Sequence, residues 1–136
     1  MEIMKKSFVM VTPLAAGYQT ALESNFFPAD SKYNPSNRKI LLSVHMYSPY
    51  NFAINADKNY KKFEESYKEE LRIIFKTLYK RFSSINQHII IGEIGIFNKN
   101  NTQDRIKRAE YYVSKIRHYH LSCVLWDNGI RDVTSM

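Results

Sequence analysis

His88-Ile89-Ile90-Ile91-Gly92-Glu93-Ile94-Gly95 sets three consecutive isoleucines in front of a carboxylate. A short, nearly continuous run of apolar, β-branched residues is the pattern of a parallel strand covered on both faces; a strand with one wet face would alternate. Three more runs share it: residues 8–12 (FVMVT), 40–47 (ILLSVHMY) and 122–126 (SCVLW). From strand end to strand end, 33 residues separate Thr12 from His45, 48 separate His45 from Glu93, and 33 separate Glu93 from Trp126. A βα unit takes about 30 residues or more, and successive parallel strands joined by right-handed crossovers build either a doubly wound sheet or a barrel. The expected fold class is therefore α/β.

The intervening segments supply the helices. Phe63, Tyr67, Leu71, Ile74, Leu78 and Phe82 recur at spacings of three and four, which makes one amphipathic face. Asp57 is positioned to cap the start of that helix. Glu64, Glu65, Glu69 and Glu70 gather toward its N-terminal end and Lys76, Lys80 and Arg81 toward the other, as the helix dipole favours. After Thr102, a candidate N-cap, Ile106, Ala109, Val113 and Ile116 mark a second amphipathic helix. Between the first two strands Pro28 and Pro35 break any regular pattern, leaving a short helix over residues 18–22 and a long loop.

With 136 residues and 44% hydrophobic content the chain suits one domain with one core, and neither a disordered tail nor a membrane bundle. No stretch approaches the ~20 apolar residues that span a bilayer. The net charge of +7 would suit an anionic partner, but the cations alternate with carboxylates: Lys58, Lys61 and Lys62 are followed at once by Glu64 and Glu65. A solvated helix surface accounts for this, and no nucleic-acid-binding signature accompanies it. The single Cys123 allows no internal disulfide, and it reads as a small buried apolar residue. Lys5 and Lys6 precede an apolar stretch over residues 8–16 in the manner of a signal peptide. Thr12 and Pro13 interrupt it, and a short buried strand followed by a loop fits it better.

In folds of this class the reactive side chains gather at the C-terminal ends of the strands. The polar residues there are His45 and Tyr47, Glu93, and Trp126 to Asn128. Glu93 at the edge of a buried strand carries a desolvation cost unless something pairs or uses it; a structural salt bridge to a Lys or Arg is the alternative to a catalytic role. His45 and Tyr47, two residues apart in an extended chain, aim an imidazole and a phenol at one spot, although a satisfied core histidine beside a packed tyrosine has the same spacing. Trp126, the only tryptophan, is placed either to stack on a sugar ring or to fill core.

Taken together, His45-Met46-Tyr47 with Pro49, Tyr50 and Phe52, then Gly92-Glu93-Ile94-Gly95 with Asn98 and Lys99, then Trp126-Asp127-Asn128-Gly129 resemble the glycoside hydrolases of family 5. Among these the sequence is most similar to endoglucanases that also take xyloglucan and mixed-linkage glucan. The resemblance runs from Phe8 to Gly129. It implies a partial (β/α)₈ TIM barrel holding strands five to eight only, and hydrolysis of β-1,4-glucosidic bonds by a retaining mechanism. It implies Glu93 as nucleophile, His45 and Tyr47 as catalytic residues lining the cleft with the Tyr47 phenol on the nucleophile, and Trp126 as the sugar platform. Tyr50, Asn98, Lys99 and Asn128 are then expected to bind substrate. No metal or other cofactor is expected, since paired carboxylates perform this chemistry alone.

The sequence departs from the family in one large respect. The acid/base glutamate of the family lies in an Asn-Glu-Pro motif on strand four, and no Asn-Glu-Pro occurs here. A full barrel takes about 250 residues, so half a catalytic domain is expected: a truncated gene or fragment with no activity alone, a chain that pairs with a separate N-terminal half-barrel, or one of two copies that close a barrel together. The substrate partner is a β-glucan polysaccharide, with no nucleic acid and no membrane involved, and family members are secreted. A non-catalytic carbohydrate-binding α/β fragment is the competing expectation.

Overall fold

The computed structural model describes residues 8–24 and 39–127. All four apolar runs form strands: β1 (Val9–Val11), β2 (Ile40–His45), β3 (Ile89–Ile94) and β4 (Ser122–Leu125). They pair side by side in chain order, every neighbour parallel. Four helices connect them: α1 (Tyr18–Glu23), the single turn α2 (Tyr50–Ala53), α3 (Glu65–Ser83) and α4 (Thr102–His118). Most of the loop expected between the first two strands lies outside the described residues. No described helix is long and apolar enough to cross a membrane.

Contrary to the reading of the apolar runs, the sheet is covered on one face only. Its members in the core are Val11, Leu42, Val44, Ile89, Ile91, Ile94 and Cys123, all pointing to one side by register and alternation. Against them pack Leu71, Ile74, Phe75, Leu78 and Phe82 of α3, with Tyr112 and Ile116 of α4. The opposite face carries Met10, Leu41, Ile90 and Val124 in the strand interiors, with Met10 59% and Val124 49% exposed. Those runs look continuous because both faces are apolar, not because both are covered within this chain.

The face predicted for α3 is the buried one, with Tyr67 packed at its margin. Its start is displaced: Asp57 instead caps a 3₁₀ turn at Lys58–Tyr60, accepting the Asn59 amide at 2.8 Å, and Glu64 occupies the N-cap of α3. The face predicted for α4 is rotated. Arg108, Tyr112 and Ile116 are buried, whereas Ile106 and Val113 are 45% and 41% exposed. Thr102 is the first helical residue and Asn101 the cap. Counting only apolar residues hid the true stripe, because one of its members is an arginine. Cys123 is half-buried against the core, and burial raises its thiol, as suits an inert apolar filler.

One irregularity controls everything at the C-terminal edge. Val44 pairs with Ile91 but His45 pairs with Glu93, so β3 carries one extra residue, Gly92. The ladder to β4 skips the same residue, from Ile91–Cys123 to Ile94–Leu125. Such a bulge turns the following side chain onto the face of its neighbour, and Glu93 thereby emerges beside His45. The position needs glycine for space: a Cβ on Gly92 would stand 2.2 Å from Ser43 Oγ.

Two consequences are measurable by chemical denaturation. Phe75 is fully buried and meets Tyr112 edge-on at 4.9 Å, so Phe75→Ala is expected to cost about 3–5 kcal/mol. Gly92→Ala should cost about 1–3 kcal/mol through overpacking. Most of that loss should return in Gly92→Ala/Ser43→Ala, because Ser43 Cβ lies 3.6 Å from the new atom, at ordinary contact distance. A double variant no better than Gly92→Ala would show that the hydroxyl is not what the bulge avoids.

Candidate active site

At the ends of β2 and β3 three polar side chains meet. The Tyr47 hydroxyl donates to Glu93 Oε2 at 2.9 Å, and His45 Nδ1 stands 3.1 Å from the same oxygen. Tyr47 lies just beyond β2, and its position is fixed through the backbone: the Met46 amide donates to the Glu93 carbonyl at 3.0 Å. The carboxylate is 27% exposed and the imidazole 32%, so the group is set into the edge of the sheet yet reachable. Neither a lysine nor an arginine pairs with Glu93 among the described residues. Among the described residues the structural salt bridge weighed from the sequence is absent, and a neutral donor and an imidazole stand in its place.

The electrostatics follow from the geometry. Burial, reinforced by the hydrogen bond to Glu93 and by its charge, pushes the Tyr47 phenol up to about 12. Tyr47 therefore stays protonated throughout the neutral range and remains a donor. Both neighbours converge on Oε2, leaving Oε1 without a hydrogen bond among the described residues. A carboxylate held on one oxygen and free on the other is oriented and retains an available lone pair, which suits nucleophilic attack.

The other residues singled out in the sequence fall into distinct places. Trp126 is tied to β3 by its amide, 2.7 Å from the Ile94 carbonyl, and alternation along β4 brings it to the face of Glu93 with its side chain 45% exposed. Asp127, one residue on, lies on the helix side beside Ile106 and Leu125. Tyr50 opens α2 immediately after the Tyr47 loop and is 63% exposed. Asn98 Oδ1 accepts the Asn100 amide at 3.0 Å, closing a turn in which Asn100 adopts φ 57°. Asn128 lies outside the described residues.

Lys99 corrects the sequence reading most plainly. Its ammonium is buried and donates to the carbonyls of Asn51, Phe52 and Tyr60 at 2.8, 2.9 and 3.3 Å, which uses all three of its protons. It is a brace within the fold and has no donor left for a substrate. Two further residues shape the site in roles that sequence reasoning did not assign. Gly92 builds the bulge, and Arg108 holds the Ser48 carbonyl at 2.7 Å. The Arg108-Tyr112-Ile116 spacing was a usable signal for the second of these. Among the described residues, no group of three or more His, Cys, Asp or Glu could hold a metal ion.

Comparison with known proteins gives the family. Residues 5–132 match the family of cellulases, glycosyl hydrolase family 5. Endoglucanase B of Neocallimastix patriciarum is 36% identical over 125 residues, which cover 89% of this chain and 24% of the relative. Endoglucanase A of Clostridium longisporum is 35% identical over 128 residues, 93% of this chain and 23% of the relative. Among solved structures, a broad-specificity endoglucanase from Clostridium acetobutylicum superposes with a TM-score of 0.82 at 31% identity, covering 96% of this chain and 38% of the other. One from Ruminococcus champanellensis, with bound cellotriose, gives 0.78 at 32% identity, covering 92% and 35%. The chain thus spans about a quarter of the curated relatives and just over a third of the solved ones. With an α/β sheet that superposes on part of their barrels, and with a sequence match over nearly its whole length, this chain belongs to glycosyl hydrolase family 5.

Proposed function

We propose that the chain carries the nucleophile half of a retaining endo-β-1,4-glucanase site, its four strands being the last four of a (β/α)₈ barrel. The observation that carries this reading is the convergence of Tyr47 and His45 on one oxygen of Glu93, which leaves Oε1 open. In the first step Oε1 attacks the anomeric carbon of a β-glucan. The bond to the leaving sugar breaks as its oxygen takes a proton from a carboxylic acid whose carboxyl lies roughly 5–5.5 Å from that of Glu93, and water then hydrolyses the glycosyl-enzyme. Tyr47, protonated at neutral pH, holds the Glu93 carboxylate aligned for attack in the first step and receives it as the departing carboxylate of the second. Trp126 stacks beneath the sugar at the point of cleavage, with Tyr50 and Asn128 as further contacts.

The proton donor is supplied by strands outside these four, which pair with the open edges of β1 and β4. Strands that precede these four in a longer chain, or a separate half-barrel, meet this need. A second copy would bring two nucleophiles together without an acid. The substrate, a polymer met outside cells, gives the assembled enzyme an extracellular place of action.

The test is release of reducing sugar from soluble mixed-linkage β-glucan by the chain, alone and with a complementary N-terminal half-barrel from a family member. Activity should require both halves. Glu93→Gln should lower it by at least about a thousand-fold, as loss of a covalent nucleophile does. Tyr47→Phe should lower kcat by about ten- to a hundred-fold, the rate equivalent of one charge-assisted hydrogen bond. Sugar binding without turnover in every mixture would instead identify a binding module, and Glu93→Gln at full activity would refute the assignment of the nucleophile.

A further inference from the structure

Arg108 is among the largest fully buried side chains of the protein, and no carboxylate pairs with it among the described residues. Its guanidinium stacks on the Tyr112 ring, 4.4 Å from the centroid, and donates through Nη2 to the Ser48 carbonyl at 2.7 Å. Nε finds no acceptor among the described residues. Desolvation pulls the guanidinium down to about 10. A buried cation with no counter-ion costs stability that an apolar side chain of similar volume would not, so its place in the core calls for a task other than packing.

The task is legible in what the carbonyls of one loop touch. Upstream of Tyr47, the Met46 amide is bonded to the Glu93 carbonyl; downstream, the Ser48 carbonyl is bonded to Arg108. Farther along, Lys99 takes the carbonyls of Asn51 and Phe52, and the Phe97 amide takes that of Ala53 at 2.8 Å. Every one of these partners lies on β3 or in the segment that follows it. The carbonyl groups at the end of a one-turn helix have no partners of their own; here Lys99 takes those of Asn51 and Phe52, while Arg108 takes that of Ser48 ahead of the helix.

Resting on the reading of Glu93 as nucleophile, we propose that Arg108 and Lys99 are positioning residues: two buried cations that lash the 46–53 loop to the segment following Glu93 and so deliver the Tyr47 hydroxyl to the carboxylate. Arg108 acts next to Tyr47 and has the larger effect. Lys99 acts from the far end of the loop and has the smaller one.

The experiment uses the chain itself and no sugar. The Tyr47 hydroxyl proton, held by Glu93, is followed by NMR and assigned by its loss in Tyr47→Phe; its exchange with water reports how firmly the hydrogen bond is kept. Arg108→Met should speed that exchange at least about ten-fold, the equivalent of weakening one hydrogen bond, while the backbone amides of α3 keep their protection. Arg108→Lys, which retains a cationic donor, should recover part of the effect, and Lys99→Met should show a smaller acceleration. Unchanged hydroxyl exchange in folded Arg108→Met overturns the proposal. Should that variant fail to fold, Lys99→Met carries the same criterion. Because the readout involves no turnover, failure of the glucanase assay would leave this result standing, and the reverse holds equally.

Discussion

Because β2 and β3 run parallel and adjacent, their C-terminal ends emerge at one edge of the sheet, and the single extra residue at Gly92 determines which side chains face each other there. Without the bulge, alternation would put Glu93 on the helix side, in the layer of Ile91. With it, Glu93 is paired to His45 and within reach of Tyr47. The close approach of Gly92 to Ser43 is thus a packing detail on which the geometry of the carboxylate rests.

The rest of the molecule serves to keep that edge rigid. The helix-side core, dominated by α3 and the aromatic contacts of Phe75 with Tyr112 and Tyr119, fixes the strands from behind. The front is held through polar contacts, with Lys99 and Asn101 joining the loop after β3 to the loop after β2. Apolar packing sets where the strands lie, and buried donors set where the loops lie. This division follows from chemistry, since an irregular backbone cannot satisfy its own carbonyl groups and a sheet can.

Much of this was legible in the sequence. The four strands and the long amphipathic face of α3 follow from periodicity and spacing, and the placing of His45, Tyr47 and Glu93 at one edge from polar residues at strand ends; the contact of Tyr47 with Glu93 came from the family resemblance. What was not legible has two physical causes. Hydrophobicity records that a side chain avoids water but not what covers it, so the runs containing Ile90 and Val124 looked doubly buried although, among the described residues, no helix packs on the face they share and Val124 is 49% exposed. Conversely, charge suggests exposure, so Lys99 was assigned to a ligand and Arg108 was overlooked, although both are buried against carbonyl groups. Polar side chains with internal partners escape any reading that sorts residues by hydropathy alone.

The one-sided core also bears on how substitutions would be tolerated over evolutionary time. Positions such as Val44, Ile91 and Leu78 are constrained by neighbours encoded in this same chain, and a change at one can be repaired by a change at another within it. Met10, Leu41, Ile90 and Val124 answer to atoms this sheet does not supply. Their allowed volumes are set by whatever stands across the barrel axis, so the two faces of one sheet would drift under separate rules, the inner one in step with a surface elsewhere.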